Sequence, residues 1–190
     1  MKLQSSSNGD RRGLRSVEQV ISALERFYRN RDETKLVALY QNALTIRTRL
    51  YKGTDNQGVY NAHNELGRLY LRLGKYDEAK AHYKTALEIV ERVSISRKTT
   101  SGLVVDSLLN LANVHVTVKE FAEAEQLYLR AKTNLEANKR DKSLKMAEVL
   151  TAYAGVLEKM GRLSEATKLQ RDALDIRSKL SSANQGPEKQ

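Results

Sequence analysis

The sequence predicts an all-α chain made of four similar helix pairs. Three observations carry that expectation. Only one proline occurs, Pro187, so residues 1–186 lack the residue that interrupts helices most strongly. Apolar residues recur at three- and four-residue spacing, the pattern of a helix with one buried face. Finally, Ala43, Ala86, Ala131 and Ala173 follow one another at steps of 43, 45 and 42 residues, each inside a matching local pattern.

Residues 1–16 read as a flexible leader, rich in Ser and Arg, with a single acid, Asp10. An organelle transit peptide can look similar, but the apolar periodicity of one is missing here. Ser16 is placed to cap a first helix, 17–29, with Gln19 as its capping-box partner and Val17, Val20, Ile21, Leu24 and Phe27 on one stripe. A second helix, 34–51, carries Leu36, Leu39, Tyr40, Ala43, Leu44 and Ile46, and Gly53 to Gly58 form a loop. Helices 59–73 and 77–94 form the clearest pair, turning at Gly74-Lys75-Tyr76. Gly67 and Ala79 are the small residues at its crossing. After a loop over Ser96 to Gly102 come helices 103–118 and 122–138, turning at Lys119-Glu120-Phe121. After Lys139 to Lys142 come helices 144–160 and 164–180, turning at Gly161-Arg162-Leu163. Residues 181–190 read as a disordered, solvated tail.

The columns of the repeat can be read directly. Tyr40, Tyr83, Tyr128 and Gln170 lie three residues before the four alanines. Leu24, Gly67, Ala112 and Ala154 form another column, faced by Leu36, Ala79, Ala124 and Ala166. The set Leu66-Gly67, Tyr70, Gly74, Tyr76, Ala79, Tyr83 and Ala86 resembles the tetratricopeptide repeat. It recurs from Leu111 to Ala131 and from Tyr153 to Ala173, and the resemblance spans about residues 17–180. The long period is similar to that of kinesin light chain and nephrocystin repeats. The resemblance implies a right-handed α-solenoid of eight helices, in units of about 17–58, 59–102, 103–142 and 143–180. In it the first unit is a loosened cap, because Leu24 and Leu36 replace small residues, and the last is a polar cap, because Gln170 replaces Tyr.

No pattern points to catalysis, and none calls for a cofactor or a metal. There is no Cys, which excludes disulfides and thiolate chemistry. His63, His82 and His115 occupy different repeat columns and show no ligand spacing. Glu120, Glu123 and Glu125 sit at a helix start, where the macrodipole favours acids. No apolar run reaches the ~20 residues of a membrane span. The expected location is the cytoplasm.

What the resemblance implies is a binding face. In that family the first helix of each pair lines a concave groove, which here gives Asn61, Asn64, Arg68 and Arg72, then Asn110 and Asn113. An Asn amide both donates and accepts, so it can hold an extended peptide backbone whatever its side chains, and Arg can pair a carboxylate bidentately. The expected function is therefore a non-catalytic protein–protein interaction module, an adaptor or scaffold, for a peptide or helix of a partner, acidic ones included. The net charge of +10 supplies an alternative. Arg47, Arg49, Lys52, Arg92, Arg97, Lys98, Lys139, Arg140, Lys142, Lys145, Arg177 and Lys179 cluster at or after the ends of second helices. Such a basic ridge would bind nucleic acid or an acidic membrane. Aromatic residues are not interleaved there, which disfavours nucleic acid. Self-association through the ends is a third expectation.

Overall fold

The computed structural model describes residues 19, 20, 23, 33–50, 57–97 and 102–184. Seven helices are described: α1 (Glu33–Leu50), α2 (Gln57–Arg72), α3 (Tyr76–Arg97), α4 (Gly102–Thr117), α5 (Phe121–Ala137), α6 (Leu144–Lys159) and α7 (Leu163–Asn184). No strand occurs among the described residues. The count is one short of the eight expected. Gln19, Val20 and Ala23 are helical, but the rest of the expected helix 17–29, like the leader, lies outside the described residues. Two helices outrun expectation. α3 continues through Arg97 into the expected loop, and α7 continues to Asn184. In α7 the hydroxyls of Ser181 and Ser182 donate to the Ser178 carbonyl, so these serines stay within helical geometry.

The chain divides into two compact units, Met1–Val93 and Ser94–Gln190. In the first, α1 packs on α2, and α2 on α3. Leu36, Tyr40 and Ala43 of α1 are buried, as are Val59, Leu66 and Leu69 of α2 and Ala79, Tyr83, Ala86 and Ile89 of α3. Each large apolar side chain fully withdrawn from water contributes about 1.5–3 kcal/mol before chain entropy is set against it. The small residue at the α2–α3 crossing has a definite reason. A methyl group at Gly67 would lie 2.9 Å from the Tyr83 ring, so that ring fills the space in front of Gly67. Arg72 and Glu33 close the other side of α2 with a 2.8 Å ion pair to α1.

In the second unit α4 packs on α5, α5 on α6, and α6 on α7. Its core holds Leu108, Val114, Ala124, Tyr128, Leu135, Val149, Leu157, Ala166 and Ala173. Ser143 caps α6, its hydroxyl accepting from the Met146 amide at 3.2 Å.

Four helices end in the same way. The amide five residues on returns to the carbonyl of Tyr70, His115, Leu135 or Leu157, at 2.8–2.9 Å. That closure needs a left-handed residue just before the returning amide. These are Gly74 (φ 71°), Lys119 (φ 63°), Lys139 (φ 55°) and Gly161 (φ 78°).

Candidate functional site

The predicted binding residues lie on α2 and α4. Asn61, Asn64, Arg68 and Arg72 follow one another at three- and four-residue spacing, so they form one stripe along α2. Asn61 is exposed and accepts from Gln57 Nε2 at 2.9 Å. Asn64 is half-buried and donates back to the Tyr60 carbonyl at 3.2 Å. Arg68 is exposed, bonded through Nε and a terminal nitrogen to Glu65 one turn before it. The Glu65 carboxylate holds the Arg68 guanidinium above its ordinary pKa against some desolvation. Arg72 is the residue that ties α2 to Glu33 of α1.

On α4, Asn110 is half-buried and Asn113 exposed. Asn113 holds part of the core in place: its Oδ1 accepts from the hydroxyl of buried Tyr128 at 2.8 Å. Burial pushes Tyr128 up to about 12, so the phenol remains a donor. The same unit has an ion-paired edge on its first helices, where Lys145 of α6 bonds Asp106 of α4 at 2.9 Å and Glu148 at 2.7 Å. Burial opposes the charge on Lys145, but the two acids more than offset it and its pKa rises.

Part of the expected basic ridge is engaged within the fold. Arg47 is buried, at 6% exposure. Arg177 donates to Thr151 Oγ1, and Lys179 pairs with Asp175. Lys139, Arg140 and Lys142, between α5 and α6, are exposed. Arg97 and Lys98 lie outside the described side chains.

Two polar clusters escaped the sequence pattern. Glu125 accepts from the Tyr153 hydroxyl at 2.7 Å and from Arg162 at 2.7 and 2.8 Å, joining α5 to α6 and to the turn before α7. Arg162 also forks onto Glu165, which raises the Arg162 pKa and lowers that of Glu165. The second cluster joins α2 to α3. His63 and His82 meet Nδ1 to Nδ1 at 2.9 Å, and the Tyr70 ring stacks on His82 at 5.4 Å and 9°. Gln41 of α1 donates to the Tyr70 hydroxyl at 2.9 Å. Partners 19, 28, 29 and 37 residues apart leave no local spacing signal. The residues were visible in the sequence, the contacts were not.

An open pocket of about 350 Å³ lies among α5, α6 and α7, lined by Lys132, Tyr153, Leu157, Glu165, Lys168, Leu169 and Asp172. Its charges are mixed, and Lys132 is already paired with Glu136 at 2.6 Å. Among the described residues no group of three or more His, Cys, Asp or Glu is arranged to hold a metal ion, and no helix is long and apolar enough to cross a membrane. What the faces of α2 and α4 offer chemically is hydrogen bonding and charge pairing.

Comparison with known proteins follows the same lines. The family model described as tetratricopeptide repeat matches residues 27–92 and 103–179. Among solved structures, BtubC (BKLC) from P. vanneervenii is similar with a TM-score of 0.74 and 22% identity, over 94% of this chain and 75% of that one. A kinesin light chain-like protein of Podosopora anserina, with nearly identical TPR-like repeats, is similar with a TM-score of 0.69 and 17% identity, over 92% of this chain and 90% of that one. Aspartyl phosphate phosphatase F from Bacillus subtilis is similar with a TM-score of 0.69 and 16% identity, over 88% of this chain and 41% of that one. No curated protein matches the chain in sequence.

Proposed function

Because the chain belongs to the tetratricopeptide repeat family, we propose that it is a non-catalytic protein–protein interaction module, an adaptor or scaffold working in the cytoplasm. It holds a peptide or helix of a partner against the first helices of its pairs. The eight-helix, right-handed solenoid of four units expected from the sequence, with its leader and tail, is part of this reading. The observation that carries it is the polar stripe on α2. Asn61 and Arg68 are exposed there, and their side-chain hydrogen-bond partners lie on their own helix, Gln57 and Glu65, with Tyr40 and Tyr83 adding a weaker attraction on Arg68. Contacts of this kind exchange readily for contacts to a ligand, because neither side chain has to break a hydrogen bond to another helix. Asn64 and Arg72 flank them, and Asn110 and Asn113 place further amides on α4, the Asn113 oxygen already accepting from Tyr128.

The test begins with affinity capture from the native source and mass spectrometry, which identifies the partner. The double variant Asn61→Ala/Arg68→Ala is then titrated with it. We expect affinity to fall about tenfold or more, roughly 1.4 kcal/mol, with the melting temperature unchanged. Undiminished capture by this variant would remove α2 as the binding face.

A further inference from the structure

The His63–His82 contact has a proton count built into it. Two Nδ1 atoms 2.9 Å apart share one hydrogen between them, so one ring donates and the other accepts. The surroundings settle which. The Tyr70 ring lies parallel on His82 at 5.4 Å, and an aromatic face favours a cation on the ring it covers. Among the described residues His63 has no such parallel ring, and its own ring meets His82 tilted by 44°. His82 is therefore the donor through Nδ1–H and the first to gain a proton, on its Nε2. Gaining that proton keeps the bond, now charge-assisted. A second proton has only the accepting nitrogen of His63 to go to. It would set two N–H groups against each other at 2.9 Å, between two cations.

We propose that His63 and His82 form a proton-operated latch between α2 and α3, closed with no proton or one added and opened by the second. The latch is carried by the helix pair itself and does not rest on the proposed binding of a partner to α2. Among the described residues the other groups around it do not relieve the charge. From α1, Gln41 faces Tyr70, not the imidazoles. From the turn between α2 and α3, the Lys75 ammonium lies 6.0 Å from the Tyr70 ring and adds positive charge. Among the described residues neither imidazole is paired with a carboxylate. His115 differs, with Glu120 at 2.6 Å.

Half-burial first, and repulsion from His82 second, bring His63 down from 6.5 to about 4, and burial lowers His82 as well. The sign follows. The closed latch binds protons more weakly than the opened one, so closure is favoured above pH 6.5 and progressively lost as pH falls from 6.5 toward 4. With His63 at 6.5 when open and about 4 when closed, the opened fraction rises about 30-fold between roughly pH 7.5 and pH 5. Because both rings are only half-buried, that figure is an upper bound.

The experiment is amide hydrogen exchange on the full chain across that range, corrected for intrinsic exchange, with an NMR titration of the histidine ring protons. Protection in α2 and α3 should fall by up to about 30-fold, while α6 serves as the reference. In His63→Asn the side-chain oxygen stands close to the place of Nδ1, accepts from His82 and does not titrate. That variant should stay protected at both ends of the range. Equal pH sensitivity in His63→Asn and the parent chain would overturn the proposal. So would a parent His63 that titrates at the ordinary 6.5, a measurement that needs no variant to fold.

Discussion

Glu125→Ala tests whether one acid at a helix start joins three elements or merely complements the helix dipole. In the structure its carboxylate accepts from the hydroxyl of Tyr153, a side chain only 9% exposed, at 2.7 Å. A hydrogen bond to a charged acceptor contributes about 1.5–3 kcal/mol. The pocket beside Tyr153 is open, so water can reach the released hydroxyl, which argues for the lower half of that range. Arg162 keeps its fork onto Glu165 when Glu125 is lost, so nothing is added for it. The expected loss is about 2 kcal/mol. For a chain of 150–250 residues that lowers Tm by about 4–8 °C.

Urea unfolding followed by circular dichroism measures the loss, and Tyr153→Phe completes a double-mutant cycle. The coupling between the two sites should be about 1 kcal/mol, and should persist in high salt because one partner is buried and neutral. A macrodipole effect would be smaller and would disappear in salt. A loss in Glu125→Ala below about 0.5 kcal/mol, or zero coupling, would refute the assignment of Glu125 as a joint.

Lys119→Gly should stabilise the protein by about 0.5–1 kcal/mol, since a lysine at φ 63° carries a steric cost that glycine lacks. The urea midpoint should rise with an unchanged m-value, and no rise would mean that the lysine side chain offsets its backbone strain. Tyr83, Tyr128 and Tyr153 are each pushed up to about 12, chiefly by burial and for Tyr153 also by Glu125. Their folded pKa values exceed the ordinary 10.0, so the stability they hold below pH 10 should be lost as pH rises toward 12. Near-ultraviolet tyrosinate absorbance should show a late group of tyrosines that ionises together with loss of helicity. Early titration of all tyrosines in the folded chain would contradict this.

Helix existence and position were legible because local chemistry sets them. Residues 103–118 were expected for a helix observed at Gly102–Thr117, and 144–160 for one at Leu144–Lys159. The signals were the recurring apolar face and glycines 74 and 161 where the chain must turn left-handed, whereas the Ser143 cap of α6 was not read from the sequence. Lys119 and Lys139 perform the same turn without a glycine; the sequence placed a turn at the first and a loop at the second, but not their left-handed conformation. The end of α7 was misjudged because serine is a poor helix former on average, yet here Ser181 and Ser182 bond back to the turn before them. The proposed binding face was legible as a stripe, not as a set of contacts. Periodicity assigns a residue to a side of a helix. It does not say that Arg72 will reach Glu33, or that Asn113 will accept from Tyr128.

Those missed contacts share a cause. The chain has no Trp, and tyrosine supplies much of its large core volume. A tyrosine packed between helices carries its ring inward and leaves a hydroxyl at the rim, where it needs a partner. Tyr70 finds Gln41, Tyr128 finds Asn113 and Tyr153 finds Glu125. In each case a polar residue that looks like surface in the sequence is fastened to the core. Asn113 and Asn61 therefore carry the same amide on comparable faces but answer different questions. Replacing Asn113 leaves the Tyr128 hydroxyl in search of another acceptor and lowers stability, whereas replacing Asn61 releases only Gln57 on its own helix. A loss of binding on truncating Asn113 would mix two effects that Asn61 keeps apart, so the proposed partner contacts are best tested first on α2.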